Sequence, residues 1–208
     1  RIRGLSTFGD NDPLILVDGI VYDSEGLNTL NPSDIESVNV LKDGTAAIYG
    51  VRAANGVILI TTKKGSKNSA PQFEFTTYYG IQETTRRLDL LNATEYAVIK
   101  NNAFINGGDP APFANTALGE GTDWQDAVFQ TAPIENYSLS MNGGTDRSSY
   151  SIGGTYFRQK GIVGGDKAQF ERWNGRVNYT NEISERLRFN SVLLYTFEER
   201  AALPENGI

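Results

Sequence analysis

Two patterns of hydrophobic and polar positions divide the chain near residue 64. Up to that point the apolar runs are short and dense. Pro13-Leu-Ile-Leu-Val-Asp18 predicts a strand, and Ile20-Val-Tyr22 its return. Between them Asp18-Gly19 predicts a type I′ turn, because both central residues must take positive φ. Asn31 can cap a helical turn with Pro32 at its first position. Residues 35–41 alternate with period two and read as another strand, residues 45–50 as a short helix ending on glycine, and residues 56–62 as a buried, β-branched strand. Together they describe a compact α/β unit over residues 1–64.

A polar connector, residues 65–71, leads into a different pattern. Five alternating segments, at about 72–82, 135–143, 148–160, 169–181 and 186–198, each approach the roughly ten residues of a membrane-spanning strand. In the fourth, Trp173, Val177 and Tyr179 oppose Arg172, Asn174, Arg176 and Asn178. In the fifth, Leu187, Phe189, Leu193, Tyr195 and Phe197 oppose Arg186, Arg188, Asn190 and Thr196, with Val192 and Leu194 as apolar exceptions on the polar side. Pattern alone favours a soluble antiparallel sheet with one wet face, a common design, over the start of a barrel. Connection lengths favour the barrel. Tight turns near 143–146 and 182–185 alternate with a long segment at 83–134 and a shorter one at 161–168, as tight periplasmic turns alternate with long outer loops. Within the long segment, Asn92-Ala-Thr-Glu95 starts a helix expected over about 92–106. Two hairpins cannot close a barrel, so further strands are expected outside these residues.

Composition removes most alternatives. With no cysteine and no histidine among 208 residues, thiol nucleophiles, Ser-His-Asp triads and the usual zinc sites cannot be assembled. No spacing singles out a catalytic pair among the 25 acidic residues. No enzymatic activity, metal or cofactor is expected. A net charge of −6 argues against nucleic acid as a partner. No apolar run approaches the roughly 18 to 20 residues of a membrane helix, whereas a mean hydropathy of −0.37 is compatible with barrel strands. A start at Arg1 is expected of an internal piece of a longer protein.

A series of motifs then resembles one family. Ile2-Arg-Gly4, Pro13-Leu-Ile-Leu-Val-Asp-Gly19, Asn31-Pro-Ser-Asp-Ile-Glu-Ser-Val-Asn-Val-Leu-Lys-Asp43, Ala46-Ala-Ile-Tyr-Gly50 and Arg52-Ala-Ala-Asn-Gly-Val-Ile-Leu-Ile-Thr-Thr-Lys-Lys64 resemble the plug signature of SusC/RagA-type TonB-linked outer-membrane transporters. Gly121-Thr-Asp-Trp-Gln-Asp126, Thr131-Ala-Pro133 and Lys160-Gly-Ile-Val163 resemble the early barrel of the same family. Lys42-Asp43-Gly44 replaces the Arg-Gly-Pro of many other plugs, as is usual in the SusC branch.

The resemblance implies a mainly β protein: the C-terminal part of an α/β plug (1–64), a linker (65–71), and the first antiparallel strands of a transmembrane β-barrel of about 22 strands (72–208). It implies residence in the bacterial outer membrane and TonB-dependent import of a glycan oligosaccharide or peptide. The expected partners are a SusD-like surface lipoprotein acting as a lid, TonB through a segment outside this chain, and outer-membrane lipid, with a dimer of transporter–lid pairs as the assembly. A structural subunit of a larger surface complex is the alternative role. Arg3, Lys42 and Arg52 are candidates for plug-to-barrel ion pairs, and Phe104, Phe113, Trp124 and Phe129 for contacts with ligand or lid.

Strand parity yields a direct test. A cysteine placed at Trp124 in the full-length protein should react with a membrane-impermeant maleimide on intact cells; labelling only after the periplasm is opened would invert the topology.

Overall fold

The computed structural model describes residues 12–42 and 48–203. Arg3 and the first half of the expected helix at 45–50, residues 45–47, lie outside them. The described residues form two sheets, one of four strands and one of five.

The small sheet follows the sequence pattern closely. β1 (Leu14–Val17) and β2 (Ile20–Tyr22) form an antiparallel hairpin around Asp18 and Gly19, whose φ values of 48° and 89° are those the tight turn demands. α1 (Ser24–Thr29) follows, with the Asp23 carboxylate accepting from Gly26 N at 2.6 Å. Nothing in the residue periodicity announced this short helix. A 3-10 turn at Pro32–Asp34, capped by Asn31 through Ser33 N at 2.9 Å, leads into β3 (Ile35–Leu41). β4 (Val57–Thr62) then inserts between β1 and β3, parallel to the first and antiparallel to the second, giving the order β2-β1-β4-β3.

Both faces of β1 and β4 are covered, which explains their unbroken apolar runs. On one face Leu16 and Val57 pack with Ala53, Leu14, Leu41, Tyr49 and Leu59. On the other, Ile15, Val17 and Ile60 pack with Leu27, Leu30, Ile35 and Leu194. The last of these belongs to the large sheet. One of the two apolar residues that interrupt the polar face of the final strand, Leu194, thus helps close the small sheet's core.

The large sheet runs in chain order: β5 (Ser69–Gln82), β6 (Ala132–Gly144), β7 (Ser148–Lys160), β8 (Gln169–Ser184) and β9 (Leu187–Ala201). β5 begins at Ser69, inside the stretch read as connector. Alternation assigns the faces. Trp173, Leu193 and Tyr195 are exposed on one side, while Arg176 and Asn178 are buried on the other. On the exposed side Tyr137, Tyr156 and Trp173 form an aromatic ladder across three strands, with ring centroids 6.4 and 4.3 Å apart.

The chain forms two compact units. The first comprises the described parts of 1–79 with 135–158 and 170–199, so it holds the small sheet and the adjoining lengths of the large one. The second comprises 80–134, 159–169 and the described residues from 200 onward. Within the second, α2 (Ala93–Gly107) carries a complete Asn92/Glu95 capping box and ends on Gly108 at φ 87°. A further helix, α3 (Trp124–Val128), starts on Asp123. Two side-chain amides fix this segment. Asn101 both donates to and accepts from the Phe113 backbone (2.8 and 3.0 Å), and Gln125 does the same with Leu88 (2.6 and 2.8 Å).

In the first unit, Gly65 crosses β7 so closely that an added Cβ would lie 2.1 Å from the Tyr150 carbonyl oxygen. Backbone cannot yield as a flexible side chain could. Gly65→Ala should therefore lift the connector from the wall, and trypsin cleavage at Lys63, Lys64 or Lys67 of the full-length protein should accelerate severalfold; an unchanged digestion rate would refute this close approach.

Candidate functional site: the interface between the two sheets

One strand supplies most of the interface. On β8 the side chains of Arg172, Asn174, Arg176 and Asn178 share a face, spaced about 7 Å apart as alternate strand residues must be. All four bond to the segment that carries the small sheet, at residues between Asn28 and Lys63.

Arg172 Nη1 donates to the Asn28 carbonyl and Asn174 Nδ2 to the Thr29 carbonyl, each at 2.7 Å. These carbonyls end α1, whose last turn has no basic residue of its own. Helix-terminal carbonyls have no partner inside the helix, and the wall supplies one.

Arg176 is the centre. It is 1% exposed, and its Nε donates to Asp34 Oδ1 at 3.0 Å. Its Nη1 donates to Lys63 O at 2.5 Å and to Ser151 Oγ at 2.7 Å. A buried guanidinium left unpaired would cost several kcal/mol, so three acceptors and one opposite charge are what make the position tenable. Gly153 makes the room: a Cβ there would meet Arg176 Nη2 and Asp34 Oδ1, each at 3.2 Å.

One step further along β8, Asn178 Nδ2 donates to Thr62 Oγ1 at 2.7 Å and Lys63 O at 2.8 Å. Thr62 in turn donates through its backbone N and Oγ1 to Asp18, at 3.1 and 2.5 Å. The hairpin turn, the end of β4 and the wall thus form one hydrogen-bonded chain. From β6, Ser138 Oγ lies 3.3 Å from Ser33 Oγ and accepts from Thr155 Oγ1 at 3.2 Å. At the connector, Lys63 pairs with Glu74 at 3.2 Å, and Lys67 with Glu182, which Arg188 also contacts at 2.6 Å.

The expected candidates sit elsewhere. Lys42 and Arg52 are exposed. The buried ion pair has the opposite polarity, with its cation, Arg176, on the large sheet and its carboxylate, Asp34, beside the small one, whereas Lys63–Glu74 at the connector has the expected one. Arg176 was legible in the sequence only as a polar-face residue; the Asp34 partner, 142 positions away, gave no signal. In the second unit Phe113 packs edge-on against Tyr96, and Phe129 bridges to Val163. Trp124, 71% exposed, and Phe104, 38% exposed, remain open to contact.

Arg176→Met leaves Asp34 without its partner and should destabilise the seating of the small unit by about 3 to 5 kcal/mol, read as loss of amide hydrogen-exchange protection in β1 and β4. The double variant Arg176→Met/Asp34→Asn should recover part of that loss. An additive double variant would mean that the two side chains do not interact.

Comparison with known proteins agrees with this arrangement. The TonB-dependent receptor plug domain family matches residues 1–57. The chain is 40% identical to TonB-dependent receptor SusC of Bacteroides thetaiotaomicron, over 91% of this chain and 19% of that protein. It is 42% identical to TonB-dependent receptor P3 of Formosa agariphila, over 90% of this chain and 18% of that protein. A solved structure of the RagAB peptide importer in its open-open state superposes with a TM-score of 0.78 at 28% identity, covering 90% of this chain and 24% of that one. The chain spans about a fifth of the length of the curated relatives it matches. Proteins of this kind reside in the outer membrane, so the exposed aromatic face is the lipid face and the face bearing Arg176 looks inward. The small sheet is therefore part of a plug, the large sheet the first strands of a barrel wall, and the chain belongs to the SusC/RagA family of TonB-dependent receptors.

Proposed function

We propose that the protein of which this chain is part imports a large nutrient, a glycan oligosaccharide or a peptide, across the outer membrane in a TonB-dependent manner, as the barrel partner of a SusD-like lipoprotein. The observation that carries this reading is the chemistry of the plug seat. The plug is held to the wall by hydrogen bonds and ion pairs, and Leu194 of the wall packs on its core. Water can replace polar contacts one by one at little net cost, whereas a large apolar interface could part only by exposing its whole area. Such a seat suits a plug that shifts under a pull and returns.

Residues 1–64 act as plug, 65–71 as the link and 72–208 as wall. The rigid segment at 83–134 serves as an outer contact for the lid, with Trp124 and Phe104 as its exposed apolar groups. Arg52 and Lys42 are left for carboxylates on wall strands outside this chain. The name of the RagAB peptide importer and the chain's likeness to SusC support the reading without selecting the cargo.

A reversible lock tests it. The hydroxyls of Ser33 on the plug and Ser138 on the wall are 3.3 Å apart, close enough for a disulfide after Ser33→Cys/Ser138→Cys substitution in the full-length protein. Oxidation should abolish TonB-dependent growth on the imported nutrient, and reduction should restore it. Growth indifferent to oxidation would overturn plug displacement at this seat. Growth indifferent to loss of TonB or of the whole protein would favour a structural subunit instead.

A further inference from the structure

Where the wall meets the plug its inner face is polar, with Ser138, Ser151, Thr155, Asn174, Arg176 and Asn178. Leu194 departs from that rule because it closes the plug core. Phe157 on β7 and Phe170 on β8 also depart from it, and neither joins a plug core cluster.

Their place follows from alternation. Phe157 is two residues beyond the buried Thr155, and Phe170 two beyond Arg172, both on the side away from the tight turns. The phenyl rings touch each other, with centroids 6.0 Å apart and planes inclined at 58°. The Arg172 guanidinium lies over Phe157 at 5.5 Å. Among the described residues both rings are half-buried, shielded in part by each other and by the Arg172 guanidinium, and a ligand in the lumen could cover what remains.

We propose that Phe157, Phe170 and Arg172 form a substrate-contact patch on the inner wall, immediately beyond the plug, that takes a short peptide. This rests on the import reading above and narrows its cargo. An apolar side chain of the peptide enters the angle between the phenyl rings. A main-chain carbonyl or the terminal carboxylate accepts from Nη2 of Arg172, whose Nη1 is anchored on Asn28 and whose Nε is buried without a hydrogen-bond partner among the described residues. Glu198, close enough for its charge to act on Arg172, offers an acceptor to peptide N–H groups. A sugar ring is the poorer fit. It stacks on a flat, open aromatic face, whereas these rings are inclined to each other and one face of Phe157 is already covered by the guanidinium. Because the same guanidinium caps Asn28, a ligand that draws Arg172 away also loosens a plug anchor.

The test uses the full-length transporter with the photo-crosslinker p-benzoylphenylalanine in place of Phe157, and in place of the outward-facing Ile152 as control. Heat-modifiable migration identical to that of the parent shows that each variant is folded. The probes are a biotinylated pentapeptide library with a central Leu or Phe, and biotinylated maltoheptaose. A peptide adduct at 157 but not at 152, reduced about tenfold by Arg172→Gln, is the expected result. A maltoheptaose adduct at 157 without a peptide adduct would overturn the assigned class. No adduct at 157, in a protein that still supports TonB-dependent growth, would overturn the patch and leave import standing. Absence of TonB-dependent growth in the parent strain would instead remove the import reading on which the patch depends.

Discussion

A guanidinium buried to 1% exposure on a barrel strand is the constraint around which this structure is arranged. Arg176 cannot shed its charge, so each group near it must supply an acceptor, a counter-charge or space. Asp34 supplies the charge, Lys63 O and Ser151 the acceptors, and Gly153 the space. Asp34 and Lys63 come from the plug, Ser151 and Gly153 from β7. The backbone reinforces this convergence, since Lys63 N donates to Asp34 O at 2.8 Å. Seating the plug and satisfying Arg176 are therefore one event.

The polarity of the arrangement has a local cause. β8 presents four donors in a row, and the plug answers largely with backbone carbonyls: Asn28 and Thr29 at the end of α1, and Lys63 just after β4. Carbonyls at element ends are unpaired inside their own element and must be paired or hydrated. Here the wall pairs them, and the register is specific because Arg176 needs Asp34, Lys63 O and Ser151 within reach at once. Leu194 adds an apolar tie between the plug core and the wall.

The two faces of the large sheet solve different solvation problems with the same alternation. Outward, the Tyr137, Tyr156 and Trp173 ladder meets lipid. Inward, the donors of β8 meet the plug. A one-residue slip would exchange these environments and place arginine in hydrocarbon at a cost of about 2 to 4 kcal/mol, so membrane and plug enforce the same register. The segment between β5 and β6 answers to neither solvent in this way. Its shape is set by local amide clamps at Asn101 and Gln125 and by capped helices.

Local chemistry determined much of this from the sequence alone. The Asp18-Gly19 turn, the Asn31 cap, the alternating β3, the doubly buried β4, the long strands and the Asn92 capping box each depend on residues within a few positions of one another, and each was legible. Which arginine faced the lumen was also readable, because alternation fixes the face. The partners were not. Asp34 and Arg176 are separated by 142 residues, Thr29 and Asn174 by 145, and no periodicity relates them. The sequence pointed to plug cations such as Arg3, Lys42 and Arg52, while the buried pair among the described residues joins the plug carboxylate Asp34 to the wall cation Arg176. Leu194, a blemish in a polar face when read along the strand, became a core residue once the plug stood beside it. Spacing along a chain sets which way a side chain points; only the packed tertiary structure brings the groups into reach that settle what it meets there.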